Sequence, residues 1–123
     1  MNREVKFRGY SIKENKWKYG YLSKYNNKHG ISDDMGIGDF VYKESIGEYT
    51  GLKDKNGVEI YEGDIVETTR GLNHIIGAVI YHKTSWYIQS KEGYNVRLIS
   101  IFSTAENKII GNVYENKELL EVK

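Results

Sequence analysis

One stretch limits what this chain can fold into more than any other: Tyr49-Thr50-Gly51-Leu52-Lys53-Asp54-Lys55-Asn56-Gly57-Val58-Glu59-Ile60-Tyr61-Glu62-Gly63-Asp64-Ile65-Val66. It sets two tight turns close together and then launches an apolar strand. Asn56-Gly57 predicts a type I′ hairpin turn, because both residues tolerate positive φ. Gly63 supplies a second bend before Asp64–Thr69, which alternates as a strand. A helix does not run through such punctuation. The chain has no Pro, so its 13 Gly must supply most of the turns. Asp54 and Asp64 are of the type that holds turns by bonding backbone amides through the side chain. The stretch reads as a joint between an N-terminal β-unit, residues 1–50, and a second unit, residues 51–123. At 123 residues these are small units, expected to share one core.

Period-two alternation continues on both sides of the joint. Residues 4–10 set Val5 and Phe7 against Lys6 and Arg8, the pattern of a half-buried strand. Glu14-Asn15-Lys16 turns the chain into a second strand from Lys16 to Ser23. Trp17, Tyr19 and Tyr21 share one face of it; Lys18, Gly20 and Leu22 share the other. The two strands pair as a hairpin. Asn26–Gly30 reads as a loop, and Asp39–Lys43 and Ser45–Tyr49 as short meander strands. After the joint come strands at Ile75–His82, Trp86–Gln89 and Asn95–Ile101. The first of these is apolar on both faces and is therefore expected to be central. Ser103–Lys108 fits either a loop or one helical turn capped by Ser103 or Thr104. Ile109–Tyr114 is the last strand, and Asn116 is placed to cap a short helix over Lys117–Val122. There is no internal repeat.

The five short strands of the second half have the rhythm of an SH3-like small barrel: Glu62-Gly63-Asp64-Ile65-Val66, then Gly77-Ala78-Val79-Ile80-Tyr81, then Trp86-Tyr87-Ile88. The fold class expected is mainly β: an N-terminal β-meander, an SH3-like small barrel and a short C-terminal helix. Three segments also resemble the YopX-like proteins of bacteriophages and of prophages in Gram-positive bacteria. They are Lys6-Phe7-Arg8, the whole Tyr49–Val66 stretch, and Ile109-Ile110-Gly111-Asn112-Val113-Tyr114-Glu115-Asn116 followed by Glu118-Leu119-Leu120. Where members of that family often carry Ala-Trp-Asp, this chain has Gly9-Tyr10-Ser11. Where they often carry Pro, it has Lys117. The resemblance implies a β-rich protein of phage or prophage origin acting in the bacterial cytoplasm. It implies no catalytic residue.

Composition narrows the function classes. There is no Cys, so disulfides and thiolate metal sites are excluded and a reducing compartment fits. No apolar run approaches the roughly 18 residues of a membrane span, and the N-terminus does not read as a signal peptide. The formal charge of +1 argues against a strongly basic nucleic-acid binder. The charge is nevertheless uneven. Residues 1–30 carry eight Lys/Arg and two acids, whereas residues 31–67 carry three and ten. Such asymmetry marks either a binding surface or two segments that compensate one another.

The constellations that support chemistry are missing. Asp54, Glu59, Glu62 and Asp64 lack the spacing of a calcium loop or of a paired-carboxylate site. His29, His74 and His82 lie in no metal-binding pattern. There is no Gly-x-Ser-x-Gly elbow and no phosphate loop. An enzyme is not expected, and no cofactor or metal is implied. The one stretch with recognition chemistry is the first hairpin, where Arg8, Lys18 and Lys24 interleave with Tyr10, Trp17 and Tyr19. Aromatics in a basic groove hold single-stranded nucleic acid. The simpler reading buries the aromatics and leaves the lysines in solvent, as amphipathic alternation usually does. The function expected is a non-enzymatic accessory module that binds a host or phage protein or self-associates, with nucleic acid as the alternative ligand.

Overall fold

The structure, a computed structural model, describes residues 5–98 and 106–122. The chain divides into two compact units, Met1–Tyr49 and Thr50–Lys123. It is mainly β, as the alternation predicts. No helix among the described residues is long and apolar enough to cross a membrane.

In the first unit, β1 (Phe7–Tyr10), β2 (Trp17–Tyr25), β3 (Lys28–Ser32) and β4 (Gly38–Val41) form a meander, and β5 (Gly47–Lys53) pairs on the free side of β1. The expected β1–β2 hairpin is present, with Arg8 opposite Tyr19 and Tyr10 opposite Trp17. The expected loop at Asn26–Gly30 is instead a two-residue turn followed by a strand. Asn26 and Asn27 have φ of 49° and 67°, and the register pairs Tyr25 with Lys28. Two successive positive φ values define a type I′ turn, which Asn tolerates as well as any non-Gly residue. Val41 is bridged to Ser11, the Ile12 N–H donates to the Phe40 carbonyl and the Tyr42 N–H to that of Tyr10. β4 is thereby drawn back onto the end of β1. Lys43–Ser45 is a 3-10 turn, not strand. Its Ser45 Oγ accepts the Tyr10 N–H and donates to the Tyr42 carbonyl.

The second unit contains the rest of β5, β6 (Glu59–Tyr61) beside it, and a five-stranded antiparallel sheet. The order is β10 (Asn95–Arg97), β9 (Ser85–Ser90), β8 (Asn73–His82), β7 (Asp64–Arg70), β11 (Glu106–Asn112). β8 lies inside the sheet, as its two-faced apolar pattern predicts. No pairing among the described residues joins β10 to β11, so the sheet stays open. Ile60, Val66, Ile75, Val79, Trp86, Ile88 and Leu98 form one buried cluster. The close approach of β8 and β9 depends on Gly77, where a Cβ would lie 2.3 Å from the Gln89 carbonyl oxygen. β11 is fixed to β7 by a buried bond from Thr68 Oγ1 to Asn107 Oδ1, 2.7 Å.

The joint works through its carboxylates, as expected. Asp54 Oδ1 accepts the N–H of Asn56 and of Val58, each at 2.9 Å, and Asp64 Oδ2 accepts that of Tyr61. Its turn type differs from the type I′ expectation. Within the turn from Asp54 to Val58 only Gly57, at φ 83°, is left-handed, and the Gly57 N–H closes on the Asp54 carbonyl. This is a three-residue hairpin loop with Gly at the bulge, which needs one positive φ and not two. Asp54 Oδ2 also accepts the Ile109 N–H at 3.1 Å, next to the register shift between Ile109 and Gly111. At the C-terminus Lys117–Leu120 is a single 3-10 turn. Asn116 does not cap it. Its carboxamide oxygen accepts the Asn112 N–H instead. The helical turn expected from Ser103 or Thr104 lies outside the described residues; Glu106–Lys108 belongs to β11.

Candidate recognition surface on the first unit

The six residues singled out from the sequence all fall on β1 and β2, but they do not form one surface. Residues opposite one another in an antiparallel pair share a face. Arg8, Tyr10, Trp17 and Tyr19 therefore lie together, and Lys18, opposite Gly9, lies on the other side. Gly9 belongs to the enclosed side: a Cβ there would lie 2.7 Å from a Val41 methyl. Ile31 and Val41 are buried with it.

The expected polarity of the hairpin is thus reversed. Lys18 shares the enclosed face with Gly9, and its ammonium bridges Glu14 Oε1 and Asp39 Oδ2, each at 3.1 Å. The Glu14 carboxylate, then Asp39, raises the Lys18 pKa, and Lys18 followed by Lys16 lowers that of Glu14. The aromatic row faces out. Tyr19 is 53% exposed, Tyr21 the same and Tyr25 69%. The physical reason lies in side-chain volume. The face that β4 closes over has room for Gly, Val and Ile but not for a row of rings.

Arg8 and Trp17 are the exceptions on the outer face. Arg8 is 7% exposed, and its guanidinium carbon sits 4.6 Å from the centre of the Trp17 ring. The Tyr10 ring meets Trp17 edge-on at 5.3 Å, and its hydroxyl donates to the Asn15 carbonyl. This is a guanidinium–aromatic stack, in which Arg8 is engaged by its own unit. Lys24 is exposed, and no ion pair holds it among the described residues.

Two hollows in this unit were not foreseen. One, of about 570 Å³, is lined by Val5, Lys6, Tyr19, Gly20, Tyr21, Asp33 and Asp34. The other, of about 490 Å³, is lined by residues 12–13, 27–29 and 38–44. The second was hidden by reading Asn26–Gly30 as loop, since β3 and β4 form its wall. The signal lay in the pair Asn26-Asn27 between two alternating segments. Among the described residues, no three His, Asp or Glu side chains converge as a metal site would need. His74 is hydrogen-bonded to Glu67 at 2.6 Å, in the second unit.

A family model described as YopX protein matches residues 6–121. Among solved structures, the crystal structure of protein EF1440 from Enterococcus faecalis matches with a TM-score of 0.54 and 22% identity. The match covers 98% of this chain and 100% of that one. At that identity the likeness concerns the fold alone. No curated protein matches.

Proposed function

Starting from a chain that belongs to the YopX protein family, we propose that it is a non-enzymatic protein-binding module of a bacteriophage or prophage, acting in the cytoplasm of the bacterial host. The observation that carries this reading is the outward aromatic row of β2, Tyr19, Tyr21 and Tyr25, on a strand paired on both sides. Tyr combines large apolar area with a polar tip and loses little side-chain entropy on docking, so it is enriched where proteins meet. The nucleic-acid reading draws less support. Of the cations it needs, Arg8 is stacked on Trp17 and Lys18 is held by two carboxylates. For the second unit we propose the SH3-like small-barrel class. Its support is the strand order, in which a β7–β10 meander is followed by β11 returning to β7.

The test is affinity capture from host lysate with wild type and with Tyr21→Ser/Tyr25→Ser, with and without nuclease. A partner recovered despite nuclease by wild type, and lost by the variant, is the result expected. Recovery that nuclease abolishes would replace this reading with the nucleic-acid one.

A further inference from the structure

The 490 Å³ groove of the first unit combines an apolar wall with a cationic rim. Ile12, Phe40 and Tyr42 line it and remain exposed. Lys13, Lys28 and Lys43 surround them, with the Lys28 ammonium 5.2 Å from the centre of the Phe40 ring. None of the three lysines is in an ion pair among the described residues. Of the two acids in the lining, Asp39 is already held by Lys18, which leaves only Glu44 against the lysines. Such a groove fits an acidic segment that carries apolar side chains: the lysines select the charge, and the apolar wall supplies the buried contact.

The same unit displays a segment of that chemistry. The β3–β4 connection reads Asp33-Asp34-Met35-Gly36-Ile37. Its two apolar side chains project into solvent, Met35 82% and Ile37 71% exposed. Asp33 Oδ1 accepts the N–H of both residues, at 2.9 and 3.0 Å. The loop is therefore shaped in advance, and docking costs it little ordering entropy. Asp34 has no ion pair among the described residues.

We propose that the Asp33–Ile37 loop of one copy of this chain docks in the Ile12–Phe40–Tyr42 groove of another, with Asp34 meeting the lysine rim. Loop and groove are different surfaces, so two copies either exchange them reciprocally about a two-fold axis or join head-to-tail, and the head-to-tail contact closes as a ring or propagates. The inference rests on the first unit being a protein-binding surface, but it needs no other macromolecule, so purified chain tests it alone.

The experiment is sedimentation equilibrium of the full chain over rising concentration. Wild type is expected to gain mass with concentration, and less so in high salt. Lys28→Glu/Lys43→Glu, and separately Asp34→Lys, should each raise the dissociation constant about tenfold or more, as charge reversal does at a steered interface. An equimolar mixture of the two variants should associate again, because each supplies what the other lacks. Met35→Ser/Ile37→Ser should weaken association without charge change, and unchanged melting shows that every variant folds. A wild type that stays at single-copy mass overturns the proposal, as does association that neither charge variant weakens or a mixture that does not recover. A single-copy wild type whose lysate partner is lost with Lys28→Glu/Lys43→Glu would assign the groove to a different protein.

Discussion

In the second unit Ile60, Ile65, Val66, Val79 and Ile88 are sealed from solvent, whereas in the first unit the enclosed residues are small or polar apart from Ile31, Val41 and Tyr49. Ser11 and Ser45 are buried there, as is Gly9, while Tyr19, Tyr21, Tyr25, Phe40 and Met35 stay outside. Both units are antiparallel sheets of similar strand length. They differ in where their large apolar side chains go. One spends them on a core and the other displays them. If the displayed side chains serve the proposed recognition, stability and binding rest on different parts of the chain, and substitutions should separate the two.

The largest effect is expected from Ile88→Ala. Removing a fully enclosed branched side chain beside Gly77 leaves a cavity the sheet cannot refill, at a cost of about 3 kcal/mol. Phe40→Ala, on the exposed wall of the first unit, should stay within about 0.5 kcal/mol. Chemical denaturation of both variants checks the contrast, and equal losses would erase it. Asp54→Ala comes next, at about 2 kcal/mol, because one buried carboxylate serves three backbone amides. Amide exchange should accelerate at Ile109 as well as at Val58; acceleration at Val58 alone would reduce Asp54 to a local turn residue.

The smallest effect concerns the Glu14–Lys18–Asp39 bridge of the first unit. The Glu14 pKa is lowered in the folded chain, so its contribution is present above the ordinary Glu value and is lost as pH falls through the lowered one. The Lys18 pKa is raised, so its contribution holds below the ordinary Lys value and fades as pH rises through the raised one. Glu14→Gln should therefore trail wild type slightly across neutral pH and converge with it in acid. Parallel denaturation curves at all pH values would show the bridge to be idle.

The sequence carried the strands well because alternation and Gly-rich turns are local. The turn roles of Asp54 and Asp64 were legible too, since both carboxylates act on amides a few residues away. What it could not carry was the side of the sheet that is enclosed. A period of two says that Trp17, Tyr19 and Tyr21 share a face. Which face is covered depends on β4, which Ser11 and Ile12 draw across Gly9 from far along the chain. The loop-and-groove pair was hidden for a related reason. Asn26-Asn27 supports positive φ as Asn-Gly does, but without Gly it reads as ordinary loop. The turn at Asn56-Gly57 erred in the opposite direction, because the Asp54 carboxylate favours a one-residue-longer loop that needs only one left-handed residue.

The bond from Asp54 to Ile109 reaches across 55 residues, and β7 pairs with β11 over a comparable separation. During synthesis, the joint is complete long before the amide that finishes its hydrogen bonding has been made. β7 meanwhile waits with one edge unpaired. Sheets closed by such distant pairings are slow to form, on the order of milliseconds to seconds, and their open edges attract other chains. The second unit thus completes its sheet only with β11, and a chain cut short before Ile109 would leave that edge of β7 unpaired.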